Sequence, residues 1–154
     1  MVPVESKRKR FTEIVEKLLL RWGYSSTDGR VYATLLAEGR PMTISEISDE
    51  LGLSRSAISI SLSRLSRDYL VTYRRLGRTK YFSAVPAFLE SFMKQPRATL
   101  EREIVPLEEI VESMISSAND PERKRHLQGL LQNLRNLECI LRKIIEVEER
   151  ADCK

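Results

Sequence analysis

Apolar side chains recur every three or four residues along most of this chain, which is the period of amphipathic helices. One such stripe runs over residues 5–22, and shorter stripes lie within 31–36, 44–51 and 58–65. After a β-rich stretch, helical stripes return over residues 88–147. The pattern predicts a mainly α-helical protein with one short β-hairpin near its middle.

Residues that start or stop helices separate these stripes. Ser26 or Thr27 is the expected N-cap of the second helix, and Asp120 is the expected N-cap of the last one. Pro96 is expected to end or kink the helix that begins near residue 86. Pro106 predicts either a kink or a split in the next helix, and the sequence leaves both open.

A short helix, a turn and a second helix are predicted between residues 43 and 67. Thr43 and Glu46 form a capping box, Gly52 suits a turn with positive φ, and Ser54 caps the second helix. At 100° per residue, Ile58, Ser61, Leu62 and Leu65 share the inward face. The opposite face is small, hydroxylated and basic, and comprises Arg55, Ser56, Ser59, Ile60, Ser63, Arg64 and Arg67.

That outward face is typical of a helix that enters a DNA groove. Serine is a poor residue for a helix interior, but short hydroxyls allow close approach to phosphates and base edges, and arginine binds guanine through two hydrogen bonds. Ile60 suits either contact with a thymine methyl group or an ordinary exposed apolar position.

A two-stranded hairpin is predicted over residues 70–84, with Gly77 and Arg78 at its turn. This register places Arg75 opposite Lys80. Like charges facing each other are unfavourable unless an anion lies beside them, so a wing along a phosphate backbone is expected. Its basic residues are Arg74, Arg75, Arg78 and Lys80.

The distribution of charge supports a polyanionic partner for the first half of the chain. The net charge is +4, but residues 1–80 carry 15 Lys and Arg against 9 Asp and Glu, whereas residues 81–154 carry 11 against 13. Between residues 54 and 80, seven basic residues accompany one acid, Asp68. This excess favours binding to DNA over protein contact alone.

The last helix carries a heptad-like apolar seam that predicts a homodimer. The seam comprises Leu127, Leu130, Leu134, Leu137, Leu141 and Ile144. It spans about two and a half heptads, fewer than an isolated coiled coil requires, so a monomeric helical subdomain is the alternative. Cys139 beside the seam is interpreted as a small buried hydrophobe.

Enzymatic chemistry has no support in the sequence. His126 is the one histidine, and no catalytic motif, metal-binding motif or Gly-rich phosphate loop occurs, so no catalytic residue, metal or cofactor is predicted. No apolar run reaches the roughly 18 residues of a membrane span. Two cysteines, Cys139 and Cys153, favour a reduced, cytoplasmic setting.

Residues 43–84, preceded by the helix DGRVYATLLAEG, resemble the winged helix-turn-helix of the MarR superfamily, and more narrowly its GbsR-type branch. The resemblance implies a mainly α fold with a three-helix core, a β-hairpin wing and long terminal dimerisation helices. It implies a homodimer that places two recognition helices on a pseudo-palindromic DNA operator. Asp68 and Tyr69 stand where such heads often carry glycine, so a different shape is expected where the wing begins.

The resemblance also implies a small-molecule effector, which the sequence does not identify. In the GbsR-type branch this class includes quaternary ammonium compounds held by aromatic side chains; the aromatic residues available, interpreted here as core, are Trp22, Tyr24, Tyr32, Phe88 and Phe92. The expected domains are an N-terminal helix (1–24), the DNA-binding head (25–85) and a helical arm (86–154). The expected function is a dimeric DNA-binding transcriptional regulator acting as a repressor; the alternative is a winged helix that docks on transcription machinery.

Overall fold

The computed structural model describes residues 3–150, which divide into two compact units between Ala87 and Phe88. The first unit contains, in order, α1 (Val4–Arg21), α2 (Ser26–Glu38), α3 (Ile44–Leu51), α4 (Arg55–Arg67), β1 (Val71–Leu76) and β2 (Thr79–Ala84). The second contains α5 (Phe88–Thr99), a π-helical turn (Leu100–Ile104), α6 (Val105–Ser117) and α7 (Pro121–Arg150). The predicted fold class, a mainly helical winged helix-turn-helix, is confirmed.

Side-chain caps begin α2, α3 and α4, and glycines end α2 and α3. The Thr43 hydroxyl accepts from Glu46 N at 3.1 Å, and the Glu46 carboxylate accepts from Thr43 N at 3.2 Å, so the predicted capping box forms. Gly52 has a φ of 66° and ends α3 as predicted. Each cap satisfies backbone groups that the helix itself leaves unpaired.

The predicted cap of α2 is wrong by one or two residues. Ser25, rather than Ser26 or Thr27, accepts from Asp28 N at 3.1 Å, and the Asp28 carboxylate accepts in return from Ser25 N. Only the Ser25–Asp28 spacing completes a capping box here. The Ser26 hydroxyl donates instead to the Glu16 carboxylate in α1.

A glycine sets the close crossing of α1 and α2. A Cβ atom added at Gly29 would lie 2.7 Å from the Cα of Glu16, which is closer than a methyl group can approach. Val15 and Leu19 of α1 are buried at this crossing. The N-terminal helix is therefore part of the core of the first unit.

The remaining core lies between the three central helices and the hairpin. Its largest fully buried side chains include Tyr32, Leu35, Met42, Ile47, Ile58, Leu62, Leu65 and Leu70. Tyr32 is 1% exposed and donates its hydroxyl to the Val85 carbonyl at 2.5 Å, so this aromatic ring is core, as interpreted. Phe92 is 49% exposed, which corrects its interpretation as core. Met42 exchanges two backbone hydrogen bonds with Phe82 and adds a single bridge beside β2.

The hairpin begins through a residue with left-handed backbone. Tyr69 has a φ of 63° and is 80% exposed, in a region that side chains other than glycine enter at a cost. Backbone bonds from Tyr69 N to Ser66 O and from Leu70 N to Leu65 O hold this conformation. The chain thus forms the turn that suits glycine without having glycine there.

Helix α5, the π turn and α6 form one continuous helical segment. Pro96 lies inside α5, so the expectation that the helix ends there is wrong. Pro106 lies at the start of α6, directly after the π turn, where Val105 N bonds to Leu100 O. A π turn is a common way to accommodate a break in the α-helical bonding pattern, so the helix is not split in two.

The second unit has its own core, which α7 completes. The buried side chains are Leu100, Ile104, Val111, Leu127, Leu131, Leu134 and Leu141. Ion pairs at the surface flank this core, with Arg135 2.7 Å from the exposed Glu112 and Arg97 2.9 Å from the half-buried Glu148. Asp120 accepts from Glu122 N at 3.2 Å, as expected of the N-cap of α7.

Candidate nucleic-acid interface

Helix α4 presents the outward face that the sequence predicts. Ser54 caps it by accepting from Ala57 N at 3.1 Å. The inward residues Ile58, Ser61, Leu62 and Leu65 are buried. The predicted DNA-facing residues that are exposed are Arg55, Ser56, Ser59, Ile60, Ser63 and Arg67.

Two of these exposed side chains, Arg55 and Ile60, have surroundings that affect how they would contact DNA. Arg55 donates to the Ser45 hydroxyl of α3 at 3.0 Å, which holds its guanidinium near the first turns of both helices. Ile60 is 54% exposed and lies among serines, so it is an apolar contact point on an otherwise polar face. Neither α4 nor its N-cap carries an acidic residue.

Arg64 is placed differently from the other predicted residues. Its Nε lies 3.0 Å from Asp28 Oδ2, and its Nη2 lies 2.9 Å from Asp28 Oδ1. Ser61 donates its hydroxyl to the same carboxylate. Asp28 is only 1% exposed. Arg64 therefore lies at the edge of the outward face and also binds a buried carboxylate of α2.

The electrostatics of Asp28 follow from this contact. Burial raises the pKa of its carboxyl, but hydrogen bonds from Arg64, Ser61 and the Ser25 backbone outweigh burial, so the pKa lies below its ordinary value. The bond to Asp28 raises the pKa of Arg64. The pair is therefore ionised at neutral pH. Sequence reasoning missed Asp28 because its partner is 36 residues away.

The hairpin forms with the predicted register. Arg75 pairs with Lys80 and Tyr73 pairs with Phe82, while Gly77 occupies the turn with a φ of 63°. Lys80 Nζ lies 4.6 Å from the centre of the Tyr73 ring, and this cation–π contact fixes the lysine over the sheet face. The exposed basic residues of the wing are Arg74, Arg75 and Arg78.

A groove of about 280 Å³ runs between α4 and the hairpin. The polar residues that line it are Ser59, Ser63, Ser66, Tyr73 and Lys80. Among residues 3–150, the buried hydroxyl of Ser66 has no hydrogen-bond partner. Sequence reasoning did not select Ser66, although it continues the run of serines along α4. Hydroxyls and a lysine in one groove are suited to an anion.

The predicted dimerisation seam divides into two halves. Leu127, Leu134 and Leu141 are buried within the second unit, whereas Leu130, Leu137 and Ile144 are exposed. Ile140 and Val147 extend the exposed half, and together with Leu89 and Phe92 they line an apolar groove of about 530 Å³.

Cys139 is exposed, which corrects the prediction of a buried thiol. The positions at 134 and 141 fill the core, and this rotates residue 139 outward. Cys153 lies outside the described residues. Within residues 3–150, no group of three or more His, Cys, Asp or Glu side chains could hold a metal ion, and no helix has the length and apolarity to cross a membrane.

The family model of the sugar-specific transcriptional regulator TrmB matches residues 18–87. These are the residues of α2–α4, the hairpin and the end of α1, so the match covers the head. No curated protein matches the sequence. The matched family is one of transcriptional regulators.

One solved structure supports the fold, and two others show a weaker similarity. A structure described as a transcriptional regulator is 18% identical, covers 94% of this chain and 99% of its own, and has a TM-score of 0.53. A MarR-family regulator from Silicibacter pomeroyi is 23% identical over 83% of this chain and 82% of its own, with a TM-score of 0.44. A mutant of S. aureus MepR bound to an oligodeoxyribonucleotide is 16% identical over 87% and 92%, with a TM-score of 0.44.

The predicted resemblance is confirmed at the level of the winged-helix head. The GbsR-type branch stays a prediction.

Proposed function

We propose, on the premise that residues 18–87 are the winged-helix head of a transcriptional regulator, that this chain is a dimeric, sequence-specific DNA-binding protein. Two copies would place their α4 helices in successive major grooves of a pseudo-palindromic operator. The protein would act in the cytoplasm as a repressor, since occupation of a promoter requires only tight binding at the site.

The acid-free outward face of α4 carries this proposal. It combines exposed hydroxyls, Ile60 and two exposed arginines, Arg55 and Arg67, on one side of a helix whose other side is buried. The wing adds Arg74, Arg75, Arg78 and Lys80. Phosphate contacts would position the head, and the middle of α4 would read base edges.

The exposed half of the α7 seam supports a second copy of the chain as partner. Leu130, Leu137 and Ile144 continue the heptad spacing of the buried half, and exposed apolar stripes of this length are unusual on monomers. A symmetric pairing would cover the stripe on both chains at once.

A small-molecule effector would release the operator. The match to the TrmB model ends at residue 87 and does not reach the second unit. It therefore supports no effector class for this chain, sugars included.

A salt titration of DNA binding tests the main proposal. A duplex selected from a random library by the protein and a random duplex of the same length are compared by fluorescence anisotropy. We expect the log of each affinity to fall linearly with log salt, with a slope near −0.9 per phosphate neutralised. Absence of binding to either duplex at low salt would refute the proposal.

Wing and helix variants separate the two kinds of contact. Arg78→Gln should weaken binding to both duplexes alike and lower the slope by about one, because it loses a phosphate contact. Ile60→Ala should reduce the preference for the selected duplex. Arg123→Gln, in the exposed first turn of α7, is the matched control and should leave both affinities unchanged.

The dimer is tested by light scattering. At micromolar concentration we expect twice the chain mass of 17.8 kDa, and Leu137→Glu should shift the protein to monomer because a charge would enter the proposed interface. A monomer mass for the unaltered protein would refute the dimer.

Docking on transcription machinery remains the alternative use of the head. It predicts capture of a protein partner that survives nuclease treatment, together with no preference among duplexes. Loss of capture on nuclease treatment would favour the DNA-binding proposal.

A further inference from the structure

Two polar contacts join the C-terminal half of α4 to the first turn of α2 and to the segment that precedes it. In the first, the buried Asp28 carboxylate accepts from Ser61 and from two nitrogens of Arg64. In the second, Tyr24 donates its hydroxyl to Asp68, the C-cap residue of α4, at 2.7 Å. Both contacts act on the helix that carries the proposed DNA contacts.

The position of Arg64 differs from that of a residue at the centre of the outward face. At 100° per residue it lies about 90° from the middle of that face, on the side toward α2. Its side chain is 41% exposed, whereas Arg67, one turn further along, is 72% exposed. Arg64 uses Nε and Nη2 on Asp28, which occupies one bidentate edge of the guanidinium.

The contacts at residues 61 and 64 restrict how α4 can rotate. Because these positions are nearly one turn apart and share one carboxylate, the helix cannot turn about its axis without breaking a hydrogen bond to a buried charge. Such a bond contributes more than a neutral one. Groove recognition requires side chains held within fractions of an ångström, so this rotation matters for reading bases.

We infer that Arg64 is a positioning residue, which with Asp28 and Ser61 locks the rotation of the recognition helix and so maintains its sequence preference. This inference rests on the proposed DNA-binding function. It assigns base reading to the centre of the face, at Ser59, Ile60 and Ser63, and assigns Arg64 an indirect part.

The experiment compares Asp28→Asn, Arg64→Gln and Arg67→Gln on the full chain. The probes are the duplex selected by the unaltered protein and a random duplex of equal length, each titrated over a range of salt. Asp28 is buried and cannot touch DNA, so its substitution changes the lock without removing a DNA contact. Arg67→Gln is the matched control, since Arg67 is the exposed arginine one turn away.

We expect Asp28→Asn and Arg64→Gln to lower the selected-to-random affinity ratio by a similar factor. That factor should be at least about fivefold, the effect of a single mismatched base pair. Neither should change the salt slope on the random duplex. Arg67→Gln should lower that slope by about 0.9, as expected for one lost phosphate contact.

Other outcomes would overturn the inference. If the selected-to-random affinity ratio falls in Arg64→Gln but not in Asp28→Asn, Arg64 is a direct base contact. A salt slope that falls by about one in Arg64→Gln identifies a phosphate contact. An Arg64→Lys variant that restores the ratio shows that charge alone suffices, without the two-nitrogen lock.

Hydrogen exchange keeps the inference testable apart from DNA binding. If the unaltered protein binds neither duplex, the proposed function fails, but the lock still predicts faster amide exchange over residues 61–67 in Asp28→Asn than in Arg67→Gln. Equal exchange in both would refute the lock itself. If Asp28→Asn does not fold, Ser61→Ala removes one bond of the same lock and takes its place in both measurements.

Discussion

The two units solve the same problem, the burial of an apolar helix face, in different ways. In the first unit, the short helices α2, α3 and α4 begin at side-chain caps, and their apolar faces meet in one core. In the second, one long helix packs against a segment with a π turn, and half of its apolar seam stays exposed. The comparison shows that the central helices of the first unit bury their apolar faces against one another, whereas α7 leaves half of its apolar seam exposed.

The two units also differ in whether their ion pairs include a buried charge. The first unit buries one carboxylate, Asp28, and pairs it with Arg64. The ion pairs of the second unit lie at its surface, between exposed or half-exposed side chains. Because surface pairs contribute little to stability, the second unit depends mainly on apolar packing.

Truncation of the buried seam should have the largest effect on the second unit. Leu134 is 8% exposed and Leu137 is 39% exposed, although they lie one turn apart. Leu134→Ala should lower the free energy of unfolding by about 2–5 kcal/mol, because it leaves a cavity. Urea unfolding followed by circular dichroism measures it.

Leu137→Ala is the matched control for Leu134→Ala. Its effect should be smaller and should depend on protein concentration, because it acts through the proposed dimer. Equal, concentration-independent effects of both substitutions would contradict the division of the seam.

Replacement of glycine by alanine should change the free energy of unfolding in opposite directions at two positions, one in each unit. Gly29→Ala should lower the free energy of unfolding by about 1–3 kcal/mol, since the new Cβ meets the backbone of Glu16. Gly129→Ala, in α7 with no atom within 4 Å of the added Cβ, should raise it by about 0.5–1 kcal/mol. The single tryptophan, Trp22, reports unfolding of the first unit by fluorescence. Stabilisation by Gly29→Ala would show that α1 and α2 separate without cost.

Acid should weaken the first unit through Asp28. Its folded pKa is below the ordinary value, so its contribution is fully present above about pH 4 and is lost as the pH falls further. Asp28→Asn should lower the free energy of unfolding by roughly 1–2 kcal/mol at pH 7. The deficit should shrink as the pH falls below 4. Trp22 fluorescence during urea unfolding at several pH values measures it, and a deficit independent of pH would contradict the role of ionised Asp28.

Relief of backbone strain at Tyr69 should give a change as small as that at Gly129. Tyr69→Gly should raise the free energy of unfolding by about 0.5–1 kcal/mol, because glycine adopts a positive φ without the steric cost. The flexibility that glycine adds to the unfolded chain limits this gain. Thermal unfolding measures it. Thr72→Gly, at an exposed strand position, is the control and should be destabilising.

Local signals in the sequence determined much of the head. The capping box at Thr43, the turn at Gly52 and the hairpin register around Gly77 depend on residues a few positions apart, and all three form as predicted. The split of α4 into a buried and an exposed face follows from helical period alone. These features need no knowledge of the rest of the chain.

Only the tertiary structure determined the contacts between residues that lie far apart in the sequence. The helical period places Arg64 on the outward face of α4. The packing of α2 on α4 brings Asp28, 36 residues earlier, beside it. Leu134 and Leu137 have the same apolar chemistry, and packing alone separates them into core and surface. The physical reason is that caps and periodicity act over one turn of chain, whereas burial depends on which elements meet.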